Sequence, residues 1–568
     1  MCVSKVYLKD KGDSGYTLDN PEEYLSKESV ERRNRQGISV SESDLPIAQA
    51  YLDTLSANGG KPVLESKWFS TVVVSSPDSL VAERLLRLPI VDSVKWVWKG
   101  DEEIDIPREE NDTTRFMPID KPEKSPYGYA EEQIKMLNGI KLHEAGFKGK
   151  GMRVAVVDAG FMNVDRISVF DSLRLLGTHN VVFPGRSVFI GDDHGTKVLS
   201  CLAADAPGLM VGTAPQAEYW LIKSEDSRSE FPIEEDYWTA AMEFADSVGV
   251  DVVSSSLGYF SFDVEALNYH QDQLDGRTSL ISRAAKMASS KGILLFSSAG
   301  NEGGGSWGKI TFPADAPDIL TVGAITDRKK KSNFSSVGFT ADYRVKPDVV
   351  ALGTGCCVID PTGNIRYANG TSFATPILAG LGVCLWQAFP SLTNKDIISL
   401  LQRFGEIGKK GVLALLCDST NAERPGFTDS EKSVGKTLDN IFSEHKNTRI
   451  IIATFASNVD RVQQIINSAD KFGRKVAIEG RSMVNIVSIA SELGYISLPD
   501  NILIDVDQLK NYPDEKTVII TTGSQGESMA ALSRMASGMH RKVTIKPNDT
   551  IVFSSHPIPG NEKSVTGV

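Results

Sequence analysis

Hydrophobic and polar positions divide the chain into stretches with different rhythms. Polar positions dominate the first hundred residues, where runs at 70–75 and 91–97 have strand character and flank a helix-like segment at 77–88. This predicts a small strand-helix-strand unit. From Lys99 to about 126 the chain is acidic, then proline-rich, and follows neither period, which is the pattern of a linker. Between Met152 and about 385, short unbroken apolar runs return at 154–157, 218–223, 250–254, 293–297 and 319–322, spaced by helical stretches. A strand apolar on both faces needs cover on both faces, so these runs predict a parallel sheet flanked by helices. Around 369–389 a loop opens into a long Ala-, Gly- and Leu-rich helix expected to be buried. Past about Gln402 a second alternation begins, with strands expected at 412–416, 450–453, 475–478, 518–521 and 550–553. The fold class expected is α/β: a small α+β unit, a parallel sheet flanked by helices, then a separate α/β domain.

At 568 residues the chain is too long for one core. The organisation expected is 1–100, a linker at 101–126, a main domain at 127–403 and a last domain at 404–568. A net charge of −12 argues against nucleic-acid binding as the dominant role. Within 405–568, 19 basic residues meet 19 acidic ones, so the acidic excess lies upstream. The six cysteines (Cys2, Cys201, Cys356, Cys357, Cys384, Cys417) show no metal or redox spacing and read as buried thiols. No apolar run approaches the roughly 18–20 residues of a membrane span. The start, Met1-Cys2-Val3-Ser4-Lys5-Val6-Tyr7, has no hydrophobic core of a secretory signal.

Three short motifs carry chemistry. Asp158 ends the run Val154-Ala155-Val156-Val157, His194 stands in Asp193-His194-Gly195-Thr196 at the head of a helical stretch, and Ser372 lies in Gly370-Thr371-Ser372-Phe373-Ala374-Thr375-Pro376. A serine hydroxyl becomes a nucleophile when a base removes its proton during attack. His194 is the candidate base, and Asp158 would hold its imidazole in the useful tautomer. Ser372 at a helix N-terminus gains the positive end of the dipole, and its small neighbours let a peptide backbone approach.

In chain order Asp, His, Ser, these residues resemble the subtilase family. Ser298-Ala299-Gly300-Asn301-Glu302-Gly303 and Ser255-Ser256-Leu257-Gly258 extend the resemblance to about 127–403. It implies a serine endopeptidase with Asn301 as oxyanion donor. Ser256, Leu257 and Gly258 would pair with the substrate backbone, and Ala299 and Gly300 would line the other side of the pocket for the residue before the cut. Tyr259 and Phe260, which follow, hint at an apolar or aromatic preference. The N-terminal unit resembles the family's inhibitory propeptides, with cleavage expected between about Lys99 and Tyr127. The partners implied are a polypeptide substrate and the chain's own propeptide as intramolecular inhibitor. No cofactor is required; calcium sites are frequent in the family, but no oxygen-ligand loop for one stands out. The family suggests an extracellular or cell-envelope setting, against which the missing signal and the C-terminal part point to the cytoplasm.

From about 405 the sequence resembles the β-CASP region of ribonuclease J. The carrying residues are Leu416-Cys417-Asp418-Ser419-Thr420-Asn421-Ala422-Glu423, Ala453-Thr454-Phe455-Ala456-Ser457-Asn458, Gly480-Arg481-Ser482-Met483, Thr522-Gly523-Ser524-Gln525-Gly526-Glu527 and Ile558-Pro559-Gly560-Asn561-Glu562. The family's first metal motif, His-x-His-x-Asp-His, occurs nowhere, and Asp418 alone matches a ligand position. One carboxylate cannot assemble a dinuclear site. His540 and His556 match no ligand position. With no basic tract, this segment offers RNA no electrostatic track. A secreted-type protease joined to a nuclease fragment reads as a chimera, by construction, misassembly or gene fusion.

Overall fold

The computed structural model describes residues 2–99, 114–407, 431–456, 458–492, 494–524, 530–554 and 565–566. The chain divides into two units, Met1–Asp418 and Ser419–Val568. The strand expected at 412–416, Cys417 and Asp418 lie outside the described residues.

The first unit opens with a four-stranded antiparallel sheet in the order Lys61–Ser66, Thr71–Ser76, Cys2–Leu8, Val91–Lys99. The sequence runs at 70–75 and 91–97 supply two of these strands. The central strand Cys2–Leu8 was not expected, because Ser4 and Lys5 make it read as polar. Both are buried, and Lys5 Nζ lies 2.8 Å from Asp236 of the main domain. Val6 and Leu8 face a separate small core with Leu52, Leu55, Val72 and Val74. Helices Lys27–Arg35 and Gln49–Ala57 were equally silent in the sequence.

The main domain is built on a seven-stranded parallel sheet. Its order is Val349–Leu352, Leu320–Ile325, Leu294–Ser298, Val252–Ser255, Arg153–Asp158, Glu218–Lys223, Arg174–Asn180. All five apolar runs fall on strands of this sheet. The edge strand Arg174–Asn180 is largely exposed and gave no apolar run. Helices His194–Ala203 and Thr371–Ala388 pack into the core on one face, Ile233–Ser247 and Leu280–Ser290 on the other. Among the described residues, Thr371–Ala388 alone has the length and composition of a membrane span, and it is 89% buried inside the domain. Two glycines permit this: a Cβ at Gly380 would lie 2.0 Å from Thr213 Oγ1, and one at Gly382 2.5 Å from the Phe296 ring. The second half of the expected linker is stitched to this domain. Phe116 N–H donates to the Arg166 carbonyl at 3.0 Å and Glu123 N–H to the Gly208 carbonyl at 2.7 Å.

The N-terminal sheet and the main domain share a buried polar interface. Arg32 and Arg33 are fully buried and both pair with Asp246 of helix Ile233–Ser247. Arg33 also reaches Asp44 at 2.8 Å, which in turn binds Lys291 at 2.8 Å. Nearby, the Glu243 carboxylate accepts from the backbone N–H groups of Lys67 and Trp68 at 2.9 and 3.1 Å.

The second unit is a five-stranded parallel sheet in the order Leu503–Ile504, Lys475–Glu479, Thr517–Thr521, Ile450–Ala453, Thr550–Phe553. Helices Glu431–Glu444, Val459–Lys471 and Arg481–Glu492 accompany it. Four of its strands match apolar runs of the sequence. Val484, Ile489, Tyr495 and Met539 remain exposed on it. His540 is a packing residue there: it contacts Glu479 at 3.2 Å and is 4% exposed in its side chain.

Candidate active site

Asp158 ends its strand fully buried, and one carboxylate oxygen carries two bonds. Its Oδ1 accepts from the Ala159 N–H at 2.8 Å and lies 2.7 Å from His194 Nδ1. His194 opens its helix, and its own N–H donates to Asp192 Oδ1 at 2.8 Å. Gly195 makes the approach possible: a Cβ there would stand 2.4 Å from the Gly160 carbonyl oxygen and 3.0 Å from Asp158 Cβ. Any side chain at this position would push the histidine off the aspartate.

Ser372 is the second residue of helix Thr371–Ala388. Its hydroxyl is hydrogen-bonded to the Ser256 carbonyl at 3.4 Å, and the Ser256 hydroxyl donates to the Ser372 carbonyl at 2.8 Å. Among the described residues no hydrogen bond joins Ser372 to His194. The neighbouring Phe373 ring stands 5.9 Å from the imidazole, which places the histidine beside the first turn of the serine helix. Asn301 follows strand Leu294–Ser298 and is exposed. Its Oδ1 accepts from Thr371 N–H at 2.9 Å and Thr371 Oγ1 at 3.1 Å. The backbone N–H can only donate, so the amide oxygen is fixed on Thr371 and the NH₂ is turned away from it. That orientation suits a donor to a developing oxyanion. Replacing Asn301 by Leu should lower kcat by about 10²–10³-fold with little change in KM; an unchanged kcat on a peptide substrate would remove the assigned role.

Ser256, Leu257 and Gly258 follow strand Val252–Ser255, and Ala299 and Gly300 follow strand Leu294–Ser298. The structure brings both segments beside Thr311, whose N–H donates to the Ala299 carbonyl at 3.1 Å.

One residue near the dyad was missed by sequence reasoning. Glu225 lies two residues past strand Glu218–Lys223, accepts from the Tyr259 hydroxyl at 3.2 Å, and feels both Asp158 and His194. Burial first, then the Asp158 charge, push its carboxyl up to about 7. Burial alone would disfavour the His194 imidazolium. Asp158, then Glu225 and Asp192, outweigh it and raise the histidine to about 9. A base must be unprotonated to act, so kcat/KM should climb with pH toward a limb near 9. Glu225→Gln removes a negative charge that favours the imidazolium, so its limb should sit at lower pH. Below about 7 wild-type Glu225 is itself neutral, and the two profiles should coincide. Superimposable profiles over the whole range would show that Glu225 does not tune His194.

Among the described residues no group of three His, Cys, Asp or Glu could hold a metal ion. Of the ribonuclease J blocks, those at 416–423 and 558–562 lie wholly outside the described residues, as do Ser457, Gln525, Gly526, Glu527 and His556.

Comparison with known families accounts for most of the chain. Residues 4–114 match the model "Peptidase S8 propeptide domain, Bacteroidota", 149–431 the subtilase family, and 447–568 the ribonuclease J β-CASP domain. Among curated proteins, ribonucleases J match about a third of the chain. Ribonuclease J of Synechocystis sp. is 50% identical over 165 residues, 29% of this chain and 26% of that protein. Ribonuclease J 1 of Streptococcus pyogenes is 53% identical over 165 residues, 29% of each. Ribonuclease J2 of Bacillus subtilis is 48% identical over 203 residues, 35% of this chain and 36% of that protein. The chain thus spans about a quarter to a third of these relatives' length. It carries a subtilase-family serine protease domain behind a propeptide domain of the same family, followed by a β-CASP domain of ribonuclease J type.

Proposed function

We propose that the chain is a serine endopeptidase acting through an acyl-enzyme, with Asp158, His194 and Ser372 as triad and Asn301 as oxyanion donor. The observation that carries this reading is the 2.7 Å Asp158–His194 contact set beside the first turn of the Ser372 helix. Ser372 Oγ attacks the peptide carbonyl as His194 takes its proton. The C–N bond breaks as His194 passes that proton to the leaving amine. Water then attacks the ester as His194 takes its proton; the bond from the acyl carbon to Ser372 Oγ breaks, His194 returns the proton to Oγ, and the acid leaves. Asp158 holds Nδ1–H throughout, leaving Nε2 for proton transfer.

The N-terminal domain acts as folding partner and inhibitor until cut. Its last strand, Val91–Lys99, lays Trp96 and Trp98 edge-on against Phe231 of the main domain, 5.8 and 6.5 Å between ring centres. Because Phe116 onward is stitched into the protease, cleavage falls before it. Within 404–568 Asp418 alone matches a ribonuclease J ligand position, so this segment does not by itself supply a dinuclear site, and the chain reads as a chimera of the two families. Fluorophosphonate labelling of purified wild type beside Ser372→Ala, read by intact mass, tests the proposal. Labelling of the wild type alone, with loss of roughly the first hundred residues, is expected. Folded protein that takes no label would overturn it.

A further inference from the structure

We propose that Thr311 closes the pocket for the residue on the acyl side of the scissile bond, restricting that residue to Gly, Ala or Ser. The inference rests on the protease reading above and adds a substrate class to it. The two segments assigned as pocket walls each present a glycine, Gly258 and Gly300, and paired glycines ordinarily leave a slot in which a side chain can lie. Here Thr311 occupies the slot. A Cβ at Gly258 would stand 2.3 Å from Thr311 Oγ1, and one at Gly300 2.8 Å from its Cγ2 and 2.9 Å from its Oγ1. The threonine therefore touches both walls at once and is 3% exposed.

It is also held in place. Its N–H donates to the Ala299 carbonyl of one wall at 3.1 Å. The next residue, Phe312, exchanges two backbone hydrogen bonds with Tyr259 beyond the other wall, at 2.9 and 3.0 Å. A floor stitched to both walls cannot swing aside for a large side chain. The Thr311 hydroxyl has no protein partner and is sealed from solvent. An unpaired buried hydroxyl is a costly way to fill space, and such departures mark positions kept for function rather than packing. The aromatic residues after Gly258 do not widen the pocket: Tyr259 is buried with its hydroxyl on Glu225, and Phe260 stacks on Trp307 at 4.9 Å.

The test uses the full chain and tetrapeptide p-nitroanilides that differ only in the residue before the cut. Wild type should hydrolyse the Ala substrate at least about tenfold faster in kcat/KM than the Phe substrate. Thr311→Gly should reverse that order, chiefly by raising kcat/KM for Phe. Thr311→Val, which keeps the volume and drops the hydroxyl, should retain the exclusion. Fluorophosphonate labelling of each variant reports an intact site. Labelled wild type that prefers Phe, or labelled Thr311→Gly with an unchanged profile, overturns the proposal while sparing the protease reading. Absence of labelling in the wild type overturns both.

Discussion

Ser372→Ala should lower kcat/KM on a peptide substrate by about 10⁶-fold, and His194→Ala by a similar factor. The double variant should be little worse than either single one. In the proposed mechanism the two residues perform one event. Without Ser372 there is no oxygen for His194 to deprotonate, and without His194 the hydroxyl keeps its proton and remains a poor nucleophile. Asp158→Asn should lose somewhat less, about 10⁴-fold, because the amide presents the wrong partner to Nδ1 while geometry survives. On the proposed mechanism, what remains in each variant is binding and the oxyanion stabilisation assigned to Asn301. The 3.4 Å bond between the Ser372 hydroxyl and the Ser256 carbonyl adds a specific expectation. The serine hydroxyl donates to a carbonyl, so the proposed mechanism requires it to rotate toward His194 as substrate enters. Labelling by fluorophosphonate, which needs the rotated form, should therefore share the pH dependence of kcat/KM. Additive losses in the double variant would mean that the residues act independently and the triad reading is wrong.

The parts legible in the sequence were those whose chemistry is local. Strands Arg153–Asp158, Glu218–Lys223 and Leu294–Ser298 announce themselves because their inner positions, 154–157, 219–222 and 294–296, are apolar and largely buried. Asp158, His194, Asn301 and Ser372 each sit at or just past a strand end or helix start, and the glycines beside the first three, Gly160, Gly195 and Gly300, record a close approach. Gly195 records the closest of them, the histidine helix against the aspartate strand. Strand Cys2–Leu8 and helix Lys27–Arg35 left no such mark, since their buried residues include Lys5, Arg32 and Arg33. Those side chains are buried against Asp236 and Asp246, more than two hundred positions away, with Asp44 as a second partner of Arg33. Glu225 and Thr311 were silent for a related reason. A carboxylate two residues past a strand and a threonine in a loop acquire meaning from what folds against them, and pattern along the chain does not carry that information.

The same long-range pairing makes Asp246 the residue on which the N-terminal interface depends. Asp246→Ala should destabilise the first unit by about 3–5 kcal/mol, the scale for removing one partner of a buried ion pair. Arg32 and Arg33 are consecutive on one helix, both fully buried, and each donates to a different Asp246 oxygen. Arginine cannot shed its proton to escape an apolar site, so losing the carboxylate leaves two fixed cations beside each other and beside Lys291. Asp44 would then face Arg33 and Lys291, with Asp251 the remaining carboxylate that acts on Arg32. The Val250 and Lys291 carbonyls that accept from Arg32, at 2.7 and 3.2 Å, solvate the guanidinium but carry no net charge. An exposed pair offers the contrast: Arg84–Asp78, with both side chains more than 40% exposed, should shift stability by less than about 1 kcal/mol when broken. Both variants are best made in the Ser372→Ala background, so that self-digestion does not enter, and compared by the denaturant midpoint of the first unit. If Asp246→Ala falls within about 1 kcal/mol of its parent, the buried arginines are not what fastens the N-terminal domain to the protease. A loss on the larger scale would mean that this domain is held by charges the protease itself supplies. Cutting the chain before Phe116 would then not suffice to release it.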